Sequence, residues 1–360
     1  MKRIIAGICR TLLGVVFIFS GVVKAIDPLG TVYKIEDYLK AFGGFFTDLL
    51  PMAEVAAWGL IVLELLLGIC MLFNVRTQWT AWIALLFYCV MTPLTLYIAL
   101  TNPVSDCGCF GDAIVLTNWQ TFWKNIVLIL LAIILIALRK SVHALWQTWM
   151  ECVIAIVAIV VAVLFMAWTK NHLPVKDFRP YKIGNHIPTL MEYPEDAEPD
   201  QYEISLIYAK EDVEQAFTLE NYPKGDSTWT YIRTESKLIK KGYEPPIHDF
   251  EIINTYGEDI TWNILESEDP ITLVIMYDLT KADKNQMDKV ESLLSDEEKE
   301  YILTGSSTDE IIALSLEYPT LSERICRCDP VTLKTIVRAN PGVIVVQNGV
   351  IIDKYNIRNR

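Results

Sequence analysis

Five stretches of this chain are apolar over lengths close to the roughly 20 residues that a helix needs to cross a bilayer. They are residues 4–26, 52–73, 79–100, 121–138 and 150–168. Beyond residue 169 such runs end and shorter periods take over. Residues 169–190 read as a linker, and 194–201 as an acidic, proline-containing loop. The alternation in Tyr202-Glu203-Ile204-Ser205-Leu206 and Thr228-Trp229-Thr230-Tyr231-Ile232 predicts a small β-rich subdomain within 202–240. From residue 245 the pattern predicts a strand at 246–252, a short helix near 261–266, a buried central strand at 271–277, a helix at 281–294, a strand at 301–304, and helices at 308–317 and 331–338. A hairpin at 340–354 turns on Asn348-Gly349. The chain thus divides into a helical membrane bundle at 1–140, a fifth span at 141–170, a linker with the β-rich subdomain at 171–244, and an α/β domain at 245–360.

Charge sharpens this division. Residues 1–170 carry 11 Lys+Arg against 9 Asp+Glu, a net of +2, whereas residues 171–360 carry 20 against 35, a net of −15. An acidic soluble half excludes nucleic acid as a partner, because phosphates require Lys and Arg to displace their counterions. The lipid bilayer is the partner that the apolar half demands. The first span begins Met1-Lys2-Arg3 and lacks a small-residue cleavage site, so it reads as a retained helix. Lys2, Arg3, Arg76, Arg139, Lys140 and His143 all fall on one side if the spans alternate, and short basic loops stay in the cytoplasm. The loop at 27–50, the loop at 101–120 and everything after 169 then lie on the far side. Asp27-Pro28 and Thr101-Asn102-Pro103 read as helix terminators at that outer face.

Polar residues within the spans need a reason to be there. Glu64 lies mid-span, with Glu54 on a face within about 80° of it. As structural glue, Glu64 would be protonated or bonded to Ser20 or Arg10; as a functional group, it would serve a ligand. Lys24, after Ser20-Gly21, reads as a cation at the outer interface.

The eight cysteines are not alike. Cys9, Cys70, Cys89 and Cys152 lie in or beside spans and read as packing. Cys107 and Cys109 stand one residue apart within Ser105-Asp106-Cys107-Gly108-Cys109-Phe110-Gly111-Asp112, on the outer loop. Redox exchange, a loop staple and a metal site are all open there, although a metal needs further ligands that the local sequence does not supply. Asp106 and Asp112 should disfavour the thiolate. Cys326-Arg327-Cys328 repeats the spacing, with Arg324 and Arg327 expected to favour it. No ligand spacing for a metal appears elsewhere.

Phe19-Ser20-Gly21-Val22-Val23-Lys24-Ala25-Ile26-Asp27-Pro28 resembles the opening motif of the DoxX-like membrane family. The loop Asp106-Cys107-Gly108-Cys109-Phe110-Gly111 is similar to that of its MauE branch. The resemblance covers about 4–138. It implies a four-helix bundle, thiol-linked or quinone-linked redox function, and maturation of disulfide-containing periplasmic proteins. A quinone held in the bundle, with Glu64 and Lys24 as its binding candidates, enters only through this resemblance. The order of elements after 245 is similar to a thioredoxin fold, whose cis-proline position corresponds to Pro341. Where that fold carries Cys-x-x-Cys, this chain reads Tyr277-Asp278-Leu279-Thr280-Lys281-Ala282-Asp283. The whole resembles Bacteroidetes-type fusions of the bundle to a periplasmic thioredoxin-like domain, in the bacterial inner membrane. Two functions follow. One is a thiol–disulfide oxidoreductase or maturation factor using Cys107 and Cys109, with Cys326 and Cys328 as a second pair and a periplasmic thiol protein as substrate. The other is a scaffold whose degenerate thioredoxin-like domain binds an envelope partner. Neither motif bears on oligomeric state.

Overall fold

A computed structural model describes residues 1–360 except 105, 143–144, 200, 211–212, 241, 295–298 and 360. Ser105, at the head of the cysteine loop, and His143, counted among the cytoplasmic charges, lie outside the described residues. The chain divides into two compact units, residues 1–185 with 251–360, and residues 186–250.

The first unit opens with α1 (Lys2–Ile26), α2 (Pro28–Phe42), α3 (Ala53–Leu72), α4 (Thr77–Thr101), α5 (Asn118–Ala137) and α6 (Thr148–His172). All but α2 belong to stretches long and apolar enough to cross a membrane. α1 packs on α3 and α5, α4 on α5, and α6 on α3. Leu13, Phe17, Leu67, Met71, Tyr88, Leu128 and Leu135 meet in the interior. Between α1 and α3 the backbones touch. A Cβ on Gly68 would stand 2.7 Å from the Ile18 backbone nitrogen, and one on Gly21 would stand 3.0 Å from that of Leu65. Small residues at such a crossing let dispersion forces hold helices together where lipid removes the hydrophobic drive. Arg10 donates to the carbonyls of Met71 and Leu72 at the end of α3, and so satisfies helix-end acceptors.

The remainder of this unit is an α/β domain. In chain order after the second unit it holds α8 (Thr261–Leu265), β4 (Ile271–Ile275), α9 (Lys284–Leu293), β5 (Glu300–Thr304), α10 (Thr308–Glu317), β6 (Ile325–Arg327), α11 (Pro330–Ile336), β7 (Gly342–Gln347) and β8 (Val350–Asn356). The sheet order is β6-β5-β4-β7-β8. β4, β5 and β6 are parallel, while β7 and β8 are antiparallel. Val274, Ile302 and Val343 stand in register on one face and pack with Met287, Val290 and Leu314.

The second unit contains α7 (Ile187–Met191) and an antiparallel sheet of β1 (Gln201–Lys210), β2 (Val213–Thr218) and β3 (Thr230–Lys240) in the order β2-β1-β3. The rings of Phe217 and Tyr231 pack edge-on against Tyr208 across it.

Three expectations change. Residues 27–50 are not a plain loop, because Asp27 both follows α1 and caps α2, accepting a hydrogen bond from the Gly30 amide at 3.0 Å, with Pro28 as first helical residue. Residues 246–252 form no strand; only Ile253 bridges, to Asp259 and Arg327. Pro245 and Pro246 supply no N–H for a ladder there. Residues 325–327, given no element by the pattern, are the edge strand β6.

Gly68→Ala is expected to force α1 from α3 and lower the thermal midpoint in detergent, by the ~1–3 kcal/mol typical of overpacking. Gly59→Ala, on the same helix with nothing within 4 Å, should leave it unchanged. Equal midpoints for the two variants would contradict the close α1–α3 contact.

Candidate functional site: a cysteine loop over a buried ion pair

The loop between α4 and α5 is shaped by its own turn residues. The Asp106 carboxylate accepts the Gly108 amide at 2.7 Å, closing an Asx-turn. Gly108 and Gly111 have φ of +65° and +50°, which side chains disfavour. α2 grips the loop from the side. Lys34 pairs with Asp106 at 3.0 Å, and the Tyr38 hydroxyl donates to the Cys107 carbonyl at 2.7 Å. The two Sγ atoms of Cys107 and Cys109 come to 3.2 Å.

Beneath the loop lies an ion pair. The Lys24 ammonium is 2.8 Å from both carboxylate oxygens of Glu64 and from Ser20 Oγ. Ser20 Oγ is also 2.8 Å from Glu64 and 2.7 Å from the Cys109 carbonyl. An ammonium has three protons and all three are used; a hydroxyl has one, which Glu64 and the Cys109 carbonyl share. Lys24 and Glu64 are 5% and 4% exposed, so Lys24, two residues from the end of α1, is enclosed by protein. Glu64 takes the Ser20 bond foreseen for it, but Arg10 is bonded elsewhere. Glu54 does not join it, and pairs with Lys170 on the exterior.

Loop and ion pair bound one cavity of about 330 Å³. Val16, Phe17, Phe87, Tyr88, Met91 and Leu94 supply apolar wall, and Lys124, Asp27, Asp112 and Arg179 supply charged wall. The α/β domain reaches the charged side. Arg338, after α11, pairs with Asp27 at 2.8 Å and with Asp112 at 3.4 Å. Gly30 leaves room for this, since a Cβ there would lie 3.1 Å from Arg338 Nη2. The Tyr33 hydroxyl of α2 donates to that of Tyr277 at 3.0 Å, and Lys334 lies 4.8 Å from the centre of the Tyr33 ring.

Electrostatics separates the two thiols. The Cys107 thiol is pushed up, first because its proton is held in the contact with Cys109 and then by burial. Cys109 is lowered to about 6 by the hydrogen bond from Cys107, with Lys124 and Lys24 assisting against burial. Cys109 is therefore the sulfur favoured to ionise, which reverses the expectation drawn from the flanking aspartates. Their charges are matched by Lys34 and Arg338. Burial would raise Asp27, but Arg338 and Arg179 outweigh it and hold the carboxyl below its usual range.

The second cysteine pair is a different environment. Cys326 and Cys328 are 1% and 7% exposed, and Cys326 sits in register with Leu303 in the sheet. Burial pushes both thiols up to about 12. Arg324 pairs with Glu300 and Arg327 bonds Thr308, so neither promotes a thiolate as the sequence led us to expect. Neither cysteine, nor Pro341, belongs to the cavity wall. The Asn340–Pro341 peptide is cis, and the Asn340 side chain bonds the Asp278 backbone at 2.7 Å. Of the four packing cysteines, Cys9 and Cys70 are buried, whereas Cys89 and Cys152 are exposed on the outside of the helices. Among the described residues no three His, Cys, Asp or Glu side chains converge as metal ligands do.

Residues 2–138 match the family model described as Methylamine utilisation protein MauE. The membrane bundle is MauE-like over these residues. The match contains Lys24, Glu64, Cys107 and Cys109 of the MauE-like bundle, and it stops before α6 and the α/β domain that supplies Arg338. Residues 202–241, the three-stranded sheet, match a second family described as Domain of unknown function (DUF8463). No curated protein and no solved structure matches the chain.

Sequence reasoning singled out Lys24, Glu64, Cys107 and Cys109, which the MauE-like bundle brings to one cavity. It missed Tyr38, the site role of Lys34, and Arg338. The first two were legible through Asp27-Pro28 as a helix start followed by Val32, Ile35 and Leu39 at helical spacing, which pack on α3.

Lys24→Met should leave Glu64 uncompensated and destabilise the fold by about 3–5 kcal/mol, with Lys24→Met/Glu64→Leu recovering most of the loss. Thermal unfolding in detergent reads both, and an undisturbed single variant would deny the pairing. Alkylation of Cys109, resolved by peptide mass spectrometry, should rise as pH passes through about 6 and level off above it. In Cys107→Ala the inflection should move up towards the ~8.5 of a free thiol. An inflection near 8.5 in the native protein would refute the activation.

Proposed function

We propose that the chain is a thiol–disulfide redox protein of a bacterial inner membrane, in which Cys107 and Cys109 pass electrons from a periplasmic protein dithiol to a quinone. The observation that carries this reading is the pair of sulfurs 3.2 Å apart, with Cys109 favoured as thiolate, on the wall of a cavity inside a MauE-like bundle. In the oxidised protein Cys107–Cys109 is a disulfide. A thiolate of the substrate attacks one sulfur; the substrate then closes its own disulfide and leaves both loop cysteines as thiols. Cys109 gives its proton to solvent; reoxidation then breaks the Cys107 S–H bond, forms one S–S bond and draws the second proton from solvent. The two electrons and two protons reduce one quinone to quinol, so the cycle balances. The cavity volume, its apolar wall and the thiols at one side fit a quinone ring. Lys24 has no proton to spare for it, so Lys24 and Glu64 serve by fixing the Cys109 backbone through Ser20. The basic residues Arg76, Arg139 and Lys140 support a cytoplasmic side opposite the cysteine loop.

We read the α/β domain as thioredoxin-like without exchange chemistry. The order β5-β4-β7-β8 supports this, β6 being an added edge, and the segment after β4 holds Tyr277 where that fold carries a thiol. The scaffold reading is favoured by one observation, that this same Tyr277 bonds Tyr33 of the bundle. In that reading the α/β domain is a binding module and the loop cysteines form a staple.

Cys107→Ser and Cys109→Ser, expressed in intact cells, are expected to accumulate mixed disulfides with envelope proteins on non-reducing gels. A membrane-impermeant maleimide should label the remaining loop cysteine from outside. If neither variant traps a partner and the native pair stays oxidised across redox buffers, the scaffold reading prevails.

A further inference from the structure

Tyr88 lies in the middle of α4 and is 4% exposed. Its ring packs with those of Phe17 and Phe87 in a three-ring cluster whose centroids lie 5.2–5.4 Å apart. Its hydroxyl has no hydrogen-bond partner among the described residues. The oxygen is not one of the sealed, unpartnered polar atoms among the described residues, so it opens onto the cavity, where a tyrosine O–H is free to meet a ligand. Of the polar groups nearby, Thr92 Oγ1 one turn along α4 also lacks a partner among the described residues, while three others are taken. Glu64 is taken by Lys24 and Ser20, Asn125 donates to Thr95 at 3.2 Å, and Tyr38 holds the Cys107 carbonyl.

Tyr88 also lines the cavity that Cys107, Cys109 and Glu64 line. Glu64 and Cys109 are within electrostatic reach of its hydroxyl. Packing on the Phe17 and Phe87 rings limits how far the side chain can swing. An O–H fixed in an apolar wall selects a ligand with an apolar body and one hydrogen-bond-accepting oxygen. An ammonium or a second donor would leave the O–H unmatched, and an ionic ligand would add a charge beside a Lys24–Glu64 pair that already neutralises itself. A neutral carbonyl meets both demands.

We propose that Tyr88 is the ligand-binding donor of this cavity, giving its hydroxyl proton in a hydrogen bond to a carbonyl oxygen of the quinone ring. The assignment rests on the redox reading above for the identity of the ligand. It makes Tyr88 a binding residue on the same wall as the thiols, so that the ring is held beside the sulfurs it oxidises. No proton leaves Tyr88 in the reaction; the two protons taken up come from Cys107 and from solvent.

The test uses the full chain in detergent, with decylubiquinone and a short-chain menaquinone as probes and dodecylbenzene as a ring-and-tail control without oxygen. Dissociation constants come from the rise in thermal midpoint with ligand concentration. The native protein should bind both quinones and bind the control at least tenfold more weakly. Tyr88→Phe should weaken quinone binding by about tenfold, the scale of one hydrogen bond, and leave control binding unchanged. Its ligand-free midpoint should not fall, because the lost hydroxyl had no partner. Equal quinone binding by native and Tyr88→Phe overturns the assignment of Tyr88 and leaves the quinone reading standing. Absence of quinone binding in the native protein overturns both, while the thiol-trapping result remains independent. A lower ligand-free midpoint in Tyr88→Phe means the hydroxyl is bonded within the protein, and also overturns the assignment.

Discussion

A lysine and a glutamate buried side by side between membrane-spanning helices dictate much of this molecule. Neither charge is tolerable there alone. Once Lys24 and Glu64 meet, α1 and α3 are locked in rotation and in register, since both carboxylate oxygens and Ser20 must be reached by one ammonium. The bare backbone contact at Gly21 and Gly68 sets how closely these helices approach, and the ion pair sets which faces meet. Ser20 carries the arrangement outward, because its oxygen touches both the buried carboxylate and the Cys109 carbonyl. The cysteine loop is thus tethered to the middle of the membrane domain by a chain of three polar groups.

The other side of the loop is held by elements that the bundle alone does not contain. α2 contributes Lys34 and Tyr38, and the α/β domain contributes Arg338 through Asp112. A tethered loop restrained on several sides is a reasonable way to keep two sulfurs at contact distance while giving them opposite acidities. Cys107 and Cys109 differ in environment although they differ by only one position in sequence. The asymmetry comes from the direction of the S–H contact and from Lys124 and Lys24 on the Cys109 side.

Much of the fold was legible because its signals are local. Apolar runs of bilayer length place the spans to within a few residues, and Asn348-Gly349 marks the β7–β8 turn. α2 was lost because Asp27-Pro28 was read as a stop, although the same two residues start the next helix. The site was half legible. Lys24, Glu64 and the cysteine loop betray themselves as polar groups in or beside greasy segments. Arg338 could not be found that way, since it meets Asp27 across 311 residues. The two Cys-x-Cys pairs show the limit clearly. Their spacing is the same, but burial is a property of the sheet. The arginines that flank Cys326 and Cys328 look activating in sequence and are spent on Glu300 and Thr308.

That 311-residue separation has a consequence for biogenesis. Chains fold from the N-terminus as they are made, so α1, α3, α4 and α5 can enter the membrane before Arg338 has been synthesised. During that interval Asp27 and Asp112 face each other without their shared counter-charge. Until the α/β domain forms, that edge of the cavity lacks the guanidinium that pairs with both carboxylates. Most restraints on the cysteine loop are therefore in place early, from Ser20, Lys34 and Tyr38, and the one at Asp112 is added last, when Arg338 exists.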